Sequence, residues 1–92
     1  MISRYRISVD HHSTYGIDGK GKYGLAIIRA DTGVSAGPAK ELFSAKELQD
    51  ALGSLGYSAQ ETAVVLEVLT DRKAYWSEMR NFDESAVTAL GF

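Results

Sequence analysis

Polar and apolar residues alternate near the start of the chain. Between residues 3 and 11 every second residue is apolar, so that Tyr5, Ile7 and Val9 alternate with Arg4, Arg6 and Ser8. This two-residue period is that of a β-strand with one face toward solvent. The pattern therefore predicts an amphipathic first strand whose apolar side packs against a core.

A second strand is expected at residues 22–31. Its centre, residues 25–28, is apolar at every position, which is typical of a strand in the interior of a sheet. The preceding residues 16–24 carry four glycines and predict a hairpin connection, because glycine adopts the positive φ angles of tight turns. Residues 34–43 predict a weaker third strand, placed at a sheet edge because Pro38 has no N–H to donate to a neighbour.

The pattern Ser-x-x-Glu occurs twice in the middle of the chain, at Ser44 with Glu47 and at Ser58 with Glu61. In such a capping box the serine oxygen accepts a hydrogen bond from the backbone N–H three residues on, and the glutamate reaches back to the serine's own N–H. We therefore expect two short helices that begin at about residues 45 and 59, with Gly53 or Gly56 ending the first of them.

The C-terminal part of the chain predicts one more strand at residues 73–82, which are aromatic and alternating. Its two faces would carry different side chains: Trp76 and Phe82 on one, Tyr75 and Met79 on the other. The three aromatic rings are either a recognition hot spot or part of the core, and we expect the core. The apolar residues 85–92 are expected to form a last strand or a short docked turn.

These elements predict a single domain over residues 1–92 of the α+β class, an antiparallel β-sheet of three to five strands with two short helices packed on one face. A chain of 92 residues buries a modest core but has no room for a deep cofactor cleft as well, so no cofactor is expected. The absence of cysteine excludes disulfides and thiolate metal sites. Charges at the N-terminus and the lack of an apolar run of about 20 residues predict a soluble, cytoplasmic protein with no membrane partner.

The net charge of −2 conceals an uneven distribution. Residues 1–40 hold six basic and three acidic side chains, a balance of +3, whereas residues 41–92 hold four basic and nine acidic ones, a balance of −5. Such a division favours a dipolar surface that orients the molecule on a partner of mixed charge. The alternative is that two halves of a small domain differ by chance.

Residues typical of catalytic and metal sites are adjacent at Asp10-His11-His12-Ser13. Neighbours on a strand point to opposite faces, so His11 and His12 are not expected to bind one ion. The chain has no further histidine and no cysteine to complete a zinc or iron site, and no G-x-S-x-G elbow surrounds Ser13. We expect no catalytic residue and no metal site, and both histidines at an exposed strand end; a small hydrolase using His11 or His12 is the least favoured function.

The glycine-rich loop is a stronger candidate for binding. It contains neither G-x-G-x-x-G before a helix nor G-K-[ST], so it does not predict a nucleotide site. Instead it places Lys20 and Lys22 between Tyr15 and Tyr23, and basic groups interleaved with aromatic rings bind phosphates and stack on bases. Together with the polar side of the first strand, the predicted nucleic-acid or partner site comprises Arg4, Arg6, Tyr15, Lys20, Lys22 and Tyr23. The alternative is a solvated hairpin tip.

The stretches GVSAG at residues 33–37 and ELFSAKEL at residues 41–48 resemble the sheet-to-helix junction of small phage-encoded anti-CRISPR proteins of the type I-F class. The order of elements, a basic hairpin followed by two short helices, is similar as well. This resemblance implies a non-catalytic inhibitor that binds the bacterial CRISPR surveillance complex, both protein and guide RNA, in the host cytoplasm and blocks recognition of target DNA. It assigns no binding residue, so the predicted site depends on charge alone.

A second function remains open. The edge strand and the apolar residues 85–92 would also suit a homo-oligomeric structural or accessory protein of a phage or mobile element, in which they pair with another copy of the chain. A homodimer is therefore the alternative to a monomeric inhibitor.

Overall fold

The computed structural model describes residues 1–12, 17, 21–71 and 75–92. It has four strands, β1 (Ile2–His12), β2 (Lys22–Arg29), β3 (Lys40–Leu42) and β4 (Tyr75–Asp83), and three helices, α1 (Ala45–Ser54), α2 (Ala59–Asp71) and α3 (Glu84–Ala89). The strands form one antiparallel sheet in the order β3-β2-β1-β4. The predicted α+β class, strand number and two-helix layer are confirmed.

The alternation along β1 divides the sheet into two faces. Tyr5, Ile7 and Val9 are buried at 0 to 1% exposure, and the antiparallel register sets Ile7 opposite Ile27 of β2. Leu25 and Ile27 complete this apolar face, on which α1 and α2 pack. The same alternation turns the even-numbered residues of β1 to the other side of the sheet.

Both predicted helix starts form; the second predicted capping box is complete and the first is partial. Glu47 N–H donates to Ser44 Oγ at 3.1 Å, although the Glu47 carboxylate accepts from Phe43 N–H at 2.9 Å, one residue before the serine. In the second box Ser58 N–H and Glu61 exchange both bonds, at 3.0 and 3.1 Å. These bonds satisfy N–H groups that the first helical turn leaves without a partner.

The first helix ends where glycine permits it. Gly56 has a φ of 104°, which non-glycine residues rarely adopt. Tyr57 N–H donates to the Leu52 carbonyl at 3.0 Å and Gly56 N–H donates to the Gly53 carbonyl at 3.1 Å, the paired bonds of a Schellman motif. Tyr57 enters the core directly after this turn and is 6% exposed.

The prediction for residues 85–92 is wrong, because they contain a helix. Asp83 caps α3 by accepting from the N–H and the hydroxyl of Ser85 at 3.0 and 2.8 Å, and these bonds hold the pKa of Asp83 below its usual range. Val87 is buried at 3% exposure. Gly91, at φ 98°, ends the helix with the same pair of bonds as Gly56.

The predicted edge position of the third strand is confirmed, with shorter bounds. The third strand occupies only Lys40–Leu42 at the β2 side of the sheet, and Ser35 adds an isolated bridge to Ile28. At the opposite edge, β4 has the two predicted faces. Phe82 is buried and Trp76 packs against the core, whereas the side chains of β4 on the other face include Tyr75 and Met79, at 50% and 37% exposure.

Two neighbouring substitutions test this one-sided sheet. We expect Ile7→Ala to lower the free energy of unfolding by about 2–5 kcal/mol, because it opens a cavity beneath the helices. Arg6→Ala, one residue away on the uncovered face, should change it by no more than about 0.5 kcal/mol. Urea denaturation followed by circular dichroism measures both values. Equal losses in the two variants would contradict the assignment of faces.

Candidate nucleic-acid interface

One face of the sheet has no helix packed on it within the described part of the chain. It is the face to which the even-numbered residues of β1 point, and the register with β4 sets Arg4 opposite Asn81 and Arg6 opposite Met79. The side chains at its centre are Arg4, Arg6, Ser8, Asp10, Tyr75, Ser77, Met79 and Asn81, and the exposed carboxylate of Asp10 lies opposite Tyr75. An exposed sheet face of this composition offers charge, hydrogen-bond donors and one aromatic ring on a rigid frame.

Arg4 and Arg6 provide the positive charge. Both are exposed, and they stand two residues apart on the same side of β1, which separates their Cα atoms by about 7 Å. Arg6 Nη1 donates to Ser77 Oγ at 3.2 Å. Neither guanidinium forms an ion pair with any carboxylate that the structure describes, so both charges are available to an anionic partner.

Tyr75 provides the aromatic ring. Its phenolic oxygen is hydrogen bonded by the hydroxyls of Ser77 and Ser8, and these bonds lower the pKa of Tyr75 below its usual value of 10. Half of the Tyr75 side chain is exposed on the uncovered face. The two-residue period of β4 predicts this position, since it sets Tyr75 and Met79 on the face opposite Trp76 and Phe82. The expectation that the Tyr75 ring belongs to the core is wrong.

The structure divides the predicted site. Lys22 lies on the uncovered face, opposite His12, but its Nζ is 3.0 Å from the Glu41 carboxylate, so part of its charge is neutralised. Tyr23 is a correction. It is 2% exposed and faces the helices beside Leu25, so its ring is not accessible to a base. Tyr15 and Lys20 lie outside the described residues.

His11 also differs from expectation, because it is not an exposed strand end. Its ring stacks on Tyr23 with centroids 4.8 Å apart, and its Nδ1 lies 3.2 Å from the Leu69 carbonyl oxygen of α2. His12 is exposed on the opposite face. His11 therefore helps to hold α2 on the sheet. In residues 1–12, 17, 21–71 and 75–92 no group of three histidine, aspartate or glutamate side chains is placed to hold a metal ion.

A second polar cluster lies on the helix side of β4. Arg80 donates to the Glu61 carboxylate, its Nε is 3.3 Å from Glu78 Oε2, and its guanidinium carbon is 4.1 Å from the centre of the Tyr57 ring. Tyr57 in turn donates to Glu78 Oε2 at 2.5 Å. Together with Val64 and other apolar side chains, these four polar residues line an open cleft of about 220 Å³. We call Tyr57, Glu61, Glu78 and Arg80 the Arg80 cluster.

The ionisation of the Arg80 cluster follows from its contacts. The bond to Arg80, helped by that from Ser58 N–H, lowers the pKa of Glu61 from 4.5 to about 2. The bond to Glu61 raises the pKa of Arg80. The pKa of Tyr57 is raised, first by burial of its side chain and then by its bond to Glu78. Because every polar group of the cluster has a partner, its role is to fasten α2 to the edge strand rather than to hold a ligand.

Several acidic side chains of the helices form ion pairs. Glu61 of α2 turns to the sheet edge and pairs with Arg80. Asp50 of α1 lies 3.6 Å from Lys46. Among the exposed acidic residues of α2, Glu67 remains on the outer surface. Exposed carboxylates therefore remain on the helices at Glu47, Asp50 and Glu67.

No protein-family model, curated protein or solved structure matches the chain. None of the helices described by the structure is long and apolar enough to span a bilayer. Functional assignment therefore depends on the geometry of the uncovered face and on the resemblance of the short stretches quoted above.

The Arg80 cluster generates a prediction about acid. Because the pKa of Glu61 is lowered by folding, its carboxylate stabilises the fold above pH 4.5 and this contribution disappears as the pH falls toward 2. We expect Glu61→Gln to lower the free energy of unfolding at pH 7 and to weaken its decrease between about pH 5 and pH 2. Urea denaturation at a series of pH values measures this decrease.

Glu67→Gln is the matched control, because Glu67 is an exposed glutamate of the same helix. It should retain the acid dependence of the wild-type chain. If Glu61→Gln and Glu67→Gln gave the same curve of unfolding free energy against pH, the ion pair between Glu61 and Arg80 would not contribute to stability.

Proposed function

We propose that this chain is a non-catalytic inhibitor that binds a bacterial RNA-guided CRISPR surveillance complex and blocks recognition of target DNA. Its uncovered sheet face is the surface that meets nucleic acid. The observation that carries this proposal is the placement of two arginines without ion-pair partners among the described residues, Arg4 and Arg6, on the same uncovered face as the exposed ring of Tyr75.

The chemistry of this face suits single-stranded nucleic acid. Guanidinium groups bind phosphate oxygens through paired N–H donors and stay charged at all physiological pH values. Unpaired bases stack on aromatic side chains, and a sheet face presents such a side chain without steric obstruction. Asn81, opposite Arg4, adds an amide that pairs with base edges or phosphates. Phosphate contacts of this kind do not depend on the nucleotide sequence. An inhibitor that acts by occupying a nucleic-acid channel needs such sequence-independent binding.

The choice of an RNA-guided complex is supported by the resemblance to type I-F anti-CRISPR proteins. Both resembling stretches reach the same side of β2. Residues 41–48 contain the end of β3, the cap residue Ser44 and the first turn of α1, and Ser35 of the other stretch bridges to Ile28 of β2. Such an inhibitor acts in the cytoplasm of the host cell. Occupation of the channel that receives target DNA needs no reacting group.

A binding assay with a purified type I-F surveillance complex tests the function. We expect an excess of the wild-type chain to prevent the complex from binding a matched double-stranded target, measured by gel mobility shift. The double variant Arg4→Ala with Arg6→Ala should need about ten- to a hundredfold more protein for the same effect, because two charge-assisted contacts are lost. Target binding that persists at saturating wild-type protein would refute the assigned partner.

A single-charge comparison tests the site. Arg6→Ala should weaken inhibition, whereas Lys46→Ala, which removes one positive charge from α1 on the other side of the sheet, should not. With a short single-stranded RNA as ligand, the double arginine variant should also reduce the slope of log affinity against log salt by about 1.4, or 0.7 for each phosphate contact. Equal inhibition by Arg6→Ala and wild type would remove the uncovered face from the mechanism.

A further inference from the structure

The two edges of the sheet are protected to different extents. At one edge β3 has only three residues, begins with Lys40 and follows Pro38. At the other edge β4 pairs with β1 without interruption over nine residues, Tyr75 to Asp83. Proteins protect exposed edges with short strands, proline, bulges or charged side chains. Of these β4 has only charges, and Glu78 and Arg80 are bonded to each other and to the helix layer of their own subunit. The outer side of β4 is therefore a long, regular edge that is open to pairing with another strand.

The backbone groups of β4 that face outward follow from its ladder with β1. Glu84 N–H donates to the Met1 carbonyl at 2.9 Å, which continues that ladder by one pair. Because hydrogen-bonded pairs alternate along an antiparallel ladder, the even-numbered residues of β4 direct their N–H and C=O groups toward β1. Its odd-numbered residues, with Met79 at their centre, direct theirs away from the sheet. No backbone group of the described residues bonds to them.

The side chains of β4 are complementary to a second copy of the same strand. When β4 is laid antiparallel beside itself with Met79 opposite Met79 of the partner subunit, Glu78 lies opposite the partner's Arg80 and Trp76 lies opposite the partner's Phe82. Opposite charges and aromatic rings placed directly across a sheet stabilise the pairing. All of these side chains lie on the correct faces to meet, since directly opposed residues share a face.

The neighbouring registers are unfavourable. The outward direction of the odd-numbered backbone groups permits shifts of two residues only. A shift one way sets Arg80 opposite the partner's Arg80, and a shift the other way sets Glu78 opposite the partner's Glu78. Like charges directly opposed across a sheet destabilise it. The sequence of β4 thus favours one register over its nearest alternatives.

We propose that this chain forms a symmetric dimer in which β4 pairs with β4 of a second copy, centred on Met79. The two sheets become one continuous sheet of eight strands, with all helices on one side. The uncovered faces then join on the other side, and the two β1 strands lie three strand spacings apart, about 14 Å. The dimer does not depend on the proposed function, but it would double the surface that carries Arg4 and Arg6.

Sedimentation equilibrium tests the dimer. The wild-type chain should sediment at about 20 kDa, twice its 10.0 kDa mass. Met79→Lys, which brings two amines together at the twofold axis, should sediment as a monomer with an unchanged circular dichroism spectrum. Val34→Lys is the control: Val34 is 61% exposed and lies away from β4, so this variant should remain dimeric. A wild-type monomer at high concentration, or a Met79→Lys dimer, would overturn the proposal.

Cysteine cross-linking tests the register. The chain has no cysteine, so each variant carries a single thiol. In Met79→Cys the two Cα atoms would lie about 5.5 Å apart, within the range that a disulfide spans. In Ser77→Cys they would be about 14 Å apart. We expect oxidation to convert Met79→Cys into a covalent dimer much faster than Ser77→Cys. Equal rates, a faster reaction of Ser77→Cys, or no cross-link in either variant would refute this register.

Discussion

The division of β1 into two faces is the constraint on which the rest of the structure depends. Tyr5, Ile7 and Val9 are buried because α1 and α2 cover one side of the sheet, and a shift of one residue would exchange the two faces. The register that buries these side chains therefore also fixes Arg4 and Arg6 in solvent. Burial of an unpaired guanidinium is too costly for the opposite arrangement, so the core and the binding surface are specified by the same alternation.

The Arg80 cluster links the helix layer to the edge of this sheet. One oxygen of Glu61 caps α2 and the other binds Arg80 of β4, so the start of α2 is positioned by a strand. The cation also stacks on Tyr57, the residue that follows the end of α1. A single guanidinium therefore holds together the helix–helix corner and the edge strand. It also keeps the charged side chains of β4 in a fixed arrangement, which is what a specific strand partner would encounter.

Local patterns predicted most of the fold. The alternation of β1, the helix starts at Ser44 and Ser58 and the edge position of the strand near Pro38 each depend on residues close in sequence, and each was confirmed. The helix α3 was missed although Leu90-Gly91-Phe92 repeats the ending Leu55-Gly56-Tyr57 of α1. Tyr23 was placed at an accessible tip although its spacing from Leu25 indicates the core face. The pairing of Glu61 with Arg80, 19 residues apart, had no local signal, because tertiary packing alone brings α2 to β4.

The uncovered face is the surface through which we expect the molecule to act, and a backbone NMR titration of the isotope-labelled chain with a short single-stranded RNA tests this most directly. We expect chemical-shift changes concentrated at the amides of Arg4, Arg6 and the adjacent residues of β4, with those of α1 and α2 unchanged. Changes confined to the helices, or none at saturating RNA, would contradict this assignment.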